Sequence, residues 1–373
     1  MNSSQINDLW ERLDRQRRFF EEGQGHLLVF ASYPREACTE ERLYGPGQTV
    51  SEAFLRKHAY EMGVERVRDV KAGAISQMQV GDDSVVLPFW GLVGDWGTGH
   101  TAALYTGGDL VFEEDTSYTV DHPLSDWGRL DQLDLSPKGR WVEPEIAFWR
   151  GVFSEYEEGL PATVHNYRSP LDLANDLRGN ALFVDMHTQP ERVHTLLDKC
   201  TRAIIDLDRF YCDMLPEFKR IPGGAWGVAL PTPGMVFLNG DPIDLISEEM
   251  AQTYSHDYVA RIAAYAGTLY FHHHSIGVGR ARGVSRISGL TVQEILQDPN
   301  GPRLAESVDD DLIEASLRAP IDFTVVGLNR ESKDWRELLA RLAEGRFIVH
   351  LEGDSAAEAR ELVRMVRRID GAW

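Results

Sequence analysis

From Val85 to the C-terminal end, this chain alternates short apolar runs, each closed by a polar residue or a glycine, with longer stretches at helical spacing. That alternation narrows the possible folds sharply. A strand covered on both faces reads as an unbroken apolar run, and a parallel neighbour can be reached only through a crossover, usually a helix. The expected strands are VVLPFW, ATVHNY, ALFVDM, WGVAL, MVFLNGD, TLYFHHH, DFTVVGL and RFIVHLEG. Helices are expected over 174–178, 190–207, 247–266, 291–297 and 356–369. The run count approaches eight and no Gly-rich dinucleotide fingerprint follows any strand, so an α/β fold with a single (β/α)₈ barrel of the TIM type is preferred to a doubly wound sheet. The start of the chain reads differently. Leu9, Leu13 and Phe20 recur near helical spacing, and a second helix is expected over 50–62 behind the breaker YGPGQ. Residues 1–80 are therefore expected to form a helical extension packed on a barrel made by residues 81–373.

Composition removes several classes of function. With 373 residues, 43% of them hydrophobic, the chain can fill a large core. Its 38 Lys and Arg against 59 Asp and Glu give a net charge of −21, which repels phosphate backbones and anionic lipids and argues against nucleic-acid or membrane partners. A highly anionic substrate would need its own basic cluster. The three cysteines, Cys38, Cys200 and Cys212, include no CxxC pair, which fits reduced thiols. The N-terminal stretch lacks the apolar core of a signal peptide, and no apolar run is long enough to span a bilayer, so the expected location is cytoplasmic.

Chemistry is expected where strands end, because barrel active sites lie at the carboxyl edge of the sheet. His272, His273 and His274 close the most apolar run. On a strand His272 and His274 share one face, which makes them a candidate pair of metal ligands. Asp241, His350, Glu352 and Asp185 lie near other expected strand ends and are candidates to complete the site, with Glu352 taken as the third ligand. Thiolates are missing from this set, so nitrogen and oxygen are the donors left for a divalent ion such as Zn²⁺. Asp185, Asp241 and His350 are the candidate catalytic groups, and His350 with Glu352 could form a base and its orienting carboxylate. Five of the nine tryptophans fall between Trp90 and Trp149. Trp90, Trp96, His100 and Tyr105 there, with His165 and Trp226, are expected to wall a substrate pocket, since indoles combine a flat apolar face with one donor. Helix capping, turn formation and core packing are the plain structural alternatives for each of these residues.

Two stretches resemble a known family. SPLDLANDLRGNALFVDMHTQPERVHTLLDKCTRAI, from Ser169, and GMVFLNGDPIDLISEEMAQTYSHDYVARIAAYAGTLYFHHHSIG, from Gly234, are similar to runs of the uroporphyrinogen decarboxylase superfamily. The resemblance implies a barrel, with Asp185 and Asp241 at strand ends facing the pocket and a His-bearing strand beside them. It also covers a methyltransferase branch, which works with corrinoid proteins and holds zinc by a His-x-Cys pair and a distant Cys. Here Ile276 stands two residues after His274, and no cysteine follows Cys212, so that thiolate site is missing. The decarboxylase branch carries an Arg-rich N-terminal segment; RQRR at Arg15–Arg18 lacks its glycine and reads as a solvated helix face. The leading expectation is metal-assisted methyl transfer on a small molecule, with a corrinoid protein as a partner. A cofactor-free decarboxylase acting on a tetrapyrrole-like or aromatic carboxylate is the alternative. A non-catalytic binding barrel is the third, and self-association stays open in all three.

Overall fold

The computed structural model describes residues 3–33, 51–85, 99–112, 117–119, 122–155, 162–163, 166–219, 222–225, 227–233, 235–298, 300–324 and 334–371. Trp90, Trp96, His165 and Trp226 lie outside the described residues, as does most of the VVLPFW run.

Seven parallel strands form the central sheet: β1 Leu27–Ser32, β2 Asn166–Arg168, β3 Met235–Asn239, β4 Thr268–His274, β5 Leu290–Leu296, β6 Ile321–Thr324 and β7 Phe347–Glu352. Their order is β1-β7-β6-β5-β4-β3-β2, so from β2 to β7 each strand neighbours the next in sequence, β1 pairs with β7, and β1 and β2 stand at the two ends of the order. Helices Pro170–Arg178, Pro190–Met214, Asp257–Ala266, Asp310–Arg318 and Ala356–Asp370 occupy the connections and the C-terminal end. Local signals explain several of their ends. Ser169 caps the first of these helices ahead of Pro170, and Ser355 caps the last, which Gly371 closes at φ 63°.

Both faces of the sheet are buried, which is why its strands read as continuous apolar runs. One face carries Leu28, Phe30, Phe237, Tyr270, Val292 and Ile348, packed with Phe19 and Val228. The other puts Leu27, Val29, Ile295, Phe323 and Val349 in a core with Leu339, Leu362 and Val366. A larger core holds Leu238, Leu269 and Phe271 with Leu196, Leu207 and Trp149.

Three local readings are corrected. ALFVDM is not a strand: Ala181–Thr188 is a helix, burying Leu182, Asp185 and Met186, which is helical spacing. LTVQEIL is β5 rather than a helix, because its β-branched residues sit between covered faces and Val292 to Ile295 are all buried. The helical extension also contains β1, whose run LLVFA is buried throughout and belongs to the sheet.

The outer edge of β1 is tied down by side chains. Asp83 Oδ2 accepts from Val29 N at 3.0 Å, and Asp82 Oδ2 accepts from Ala31 N at 2.9 Å. Arg12, Gln77 and Ser84 donate to Asp82, while Arg15 and Arg367 donate to Asp83. Such pairing satisfies an otherwise open strand edge.

Candidate metal centre

The registers of β3 to β6 bring polar residues into one row. Asn239 pairs with His272, His272 with Glu294, and Glu294 with Asp322, so all four lie at one level on one face. His274 stands two residues further along β4, on that same face. After β3 the chain turns at Gly240 to deliver Asp241. A Cβ at Gly240 would lie 2.2 Å from the Phe271 ring, so only glycine fits that turn.

Three ligand-type atoms converge here. His272 Nε2 and His274 Nε2 are 3.2 Å apart, while Asp241 Oδ1 is 3.8 Å from the first and 3.5 Å from the second. Donors on a tetrahedral ion at roughly 2.0–2.1 Å are about 3.4 Å from one another, which is the spacing found. Asp241 Oδ1 is buried and has no hydrogen-bond donor. Among the described residues, Asp241, His272 and His274 are the one group meeting the geometry of a metal cluster.

The far side of each of these three groups is held. His272 Nδ1 is 2.8 Å from Glu294 Oε2, and His274 Nδ1 is 2.9 Å from Asp298 Oδ1. A carboxylate only accepts, so both Nδ1 atoms carry the proton and both Nε2 lone pairs can face inward. Arg168 NH1 donates to Asp241 Oδ2 at 3.3 Å, leaving Oδ1 pointed at the imidazoles. Asp244 Oδ2 accepts from the His274 backbone N at 2.7 Å and fixes the end of β4.

Electrostatics follow from these contacts. Burial works against the Asp241 charge, but His274, Arg168 and His272 outweigh it and hold the carboxyl at about 2. The Asp241 carboxylate, 3.5 Å from His274 Nε2, outweighs burial and lifts the imidazole to about 9. For His272, burial opposes the charged form, and Glu294 and Asp241 overcome it, so its pKa is raised. Protonated imidazole here is the form that a bound cation would replace.

The other expected site residues are scattered. Asp185 sits on the helix Ala181–Thr188, where it accepts from Trp127 Nε1 at 3.1 Å and Arg178 Nε at 2.7 Å; it braces two elements and stands at no strand end. Tyr105 is fully buried in the large core. His100 lies in the helix Gly99–Thr106. Glu352 is exposed at the end of β7, apart from the cluster, and His350 takes Asp322 rather than Glu352 as its carboxylate, at 2.6 Å. Glu294, Asp298 and Asp322 escaped sequence reasoning. The first was hidden by reading β5 as a helix, whereas the strand pattern of LTVQEIL would have put Glu294 on an alternating face. A separate cavity of about 600 Å³, lined by Glu248, Arg282, Arg286 and Asp309 among others, includes none of the cluster residues.

No protein-family model matches the chain, and no curated protein matches it. No helix of the described residues is long and apolar enough to cross a membrane.

Proposed function

We propose that this chain is a metal-dependent enzyme acting on a small molecule, with a divalent ion such as Zn²⁺ held by Asp241, His272 and His274, and that its reaction is methyl transfer. The observation that carries this reading is the meeting of three acceptor atoms, 3.2 to 3.8 Å apart, with a buried carboxylate oxygen that has no donor. Acceptors repel one another unless a proton or a cation stands between them. We also infer that the seven strands belong to a (β/α)₈ barrel, a reading supported by their sequential order and by the pairing of first strand with last. The ligands then fall at the carboxyl ends of barrel strands, where chemistry is usual.

The resemblance to the uroporphyrinogen decarboxylase superfamily supplies the reaction class. A metal in this place supplies Lewis acidity, which favours the thiolate form of an acceptor thiol. Glu294 and Asp298 hold the two imidazoles in the ligand tautomer, and Arg168 presents one oxygen of Asp241. A methyl-corrinoid on a partner protein would supply the methyl group, and the proton of the acceptor thiol would have to pass to a base of this chain. His350 is the base in this scheme: Asp322 engages its Nε2, and Nδ1 has no hydrogen-bond partner among the described residues.

Metal analysis and zinc titration of the purified protein test this, alongside His272→Ala, His274→Ala and Asp241→Asn. About one ion per chain is expected, with affinity reduced more than ~100-fold in each variant, beyond the 10–100-fold typical of outer-sphere changes. Substoichiometric metal, unchanged in the variants, would reject the reading and put a cofactor-free decarboxylase or a non-catalytic binding barrel ahead.

A further inference from the structure

The crossovers that follow β3, β4 and β5 meet around the separate cavity of about 600 Å³. Small residues keep it open. Gly279, Ala281 and Gly283 leave part of its wall without bulky side chains. A Cβ on Gly283 would overlap Glu248 Oε1, so glycine there lets that carboxylate lie against the backbone. Val278 and Leu312 add apolar surface.

The charges around this cavity are of two kinds. Arg282 is spent: it holds Asp311 at 3.0 Å and Glu314 at 3.3 Å, which ties the second crossover to the third. Glu248 and Arg286 are exposed, and neither side chain forms a hydrogen bond or an ion pair with another described residue. The Arg286 charge acts on Glu314 only at longer range. Asp309 Oδ1 accepts from Leu312 N at 2.9 Å, capping the helix Asp310–Arg318, and Oδ2 has no donor among the described residues. Two carboxylates and one guanidinium therefore line the same space and stay apart, which leaves room between them for a molecule of complementary charge.

We propose that this cavity binds a free basic amino acid, of the lysine or arginine kind. Its two cationic groups take Glu248 and Asp309, its carboxylate takes Arg286, and its methylene chain lies over Val278 and Leu312. A guanidinium matches a carboxylate at two points, and a cavity of 300–1,000 Å³ is the usual size for a small-molecule site. The surplus carboxylate in the cavity favours this class over a simple anion or a neutral zwitterion, and so does the net charge of −21. None of these residues belongs to the metal centre, so the proposal does not rest on the metal reading.

Calorimetry with L-lysine on the full chain, with no metal added, tests it. L-norleucine, which lacks the side-chain ammonium, and 1,5-diaminopentane, which lacks the carboxylate, are the matched probes. L-lysine is expected to bind at one site per chain, about tenfold or more tighter than either, the scale of one hydrogen bond to a charged group. Arg286→Gln should weaken L-lysine about tenfold and leave 1,5-diaminopentane unchanged, while Glu248→Gln should weaken both. Both side chains are exposed and unpaired, so the two variants should unfold at the wild-type temperature. Gly279→Leu gives a second route: nothing lies within 4 Å of a Cβ there, so the leucine occupies the cavity without a clash, and L-lysine binding should be lost. No saturable L-lysine binding, equal affinity for L-norleucine, or L-lysine affinity unchanged in Arg286→Gln and Glu248→Gln would overturn the assignment.

Discussion

Two buried polar networks in this molecule look alike in composition and differ in logic. At the edge of β1, Asp82 and Asp83 collect donors: backbone amides of Val29 and Ala31, three arginines, Gln77 and Ser84. At the end of β4, Asp241, His272 and His274 turn acceptors toward acceptors, and the donors are spent on their far sides. The first arrangement is complete by itself, as a structural clamp has to be. The second is complete only with something positive in the middle. A count of buried charges would not separate them; the direction of each hydrogen bond does.

Removing Asp82 should give the largest effect. Asp82→Ala strands Arg12 and the Ala31 amide in the interior, and breaking a buried pair in this way costs about 3–5 kcal/mol. Urea unfolding is expected to show that loss, while zinc affinity of the folded protein stays unchanged. A loss below about 1 kcal/mol would mean that the β1 edge is not clamped, and the contrast would collapse.

His256 sharpens the comparison from outside both networks, since its Nε2 is buried with no partner. Burial lowers its pKa to about 4. The unfolded chain therefore takes up a proton near pH 6.5 that the folded chain refuses until about pH 4. Stability contributed by neutral His256 is full above that window and lost as pH falls through it, by at most ~3.5 kcal/mol at about 1.4 kcal/mol per pH unit. Denaturation curves between pH 7 and 4 should flatten in His256→Gln; an unchanged slope would assign acid sensitivity to the carboxylates instead.

Glu294→Gln should act most narrowly. Zinc affinity is expected to fall 10–100-fold, because the amide can offer its donor side to His272 and misorient the ring. Calorimetry on the folded variant reads this directly. An affinity equal to the wild-type value would remove Glu294 from the site.

The legible part of the site was the part governed by strand period. His272 and His274 were visible because alternate residues share a face, and Asp241 because it follows an apolar run. Asp185 was misread for a physical reason: ALFVDM is apolar enough for either element, and only the burial of Leu182, Asp185 and Met186 at helical spacing decides between them. Glu294 and Asp322 were invisible because their importance lies in register. Nothing in the sequence says that residues 272, 294 and 322 share a row, since that depends on how three strands separated by long crossovers align. In the parallel sheet, LTVQEIL was missed because Gln293 and Glu294 interrupt its apolar run, and LLVFA because it lies inside the stretch read as a helical extension. Trp90, Trp96, His165 and Trp226 fall outside the described residues.

The pairing of β1 with β7 has a consequence for how the chain is made. Leu27 to Ser32 are synthesised long before their sheet partner, Phe347 to Glu352. Until then one side of an apolar strand has nothing to bind, a situation that invites pairing with other chains. Asp82 and Asp83 emerge soon after β1 and satisfy its opposite edge, so half of the strand can be sheltered during synthesis. Completion waits for Phe347 to Glu352, and a chain truncated before Phe347 would carry β1 with its sheet edge permanently open.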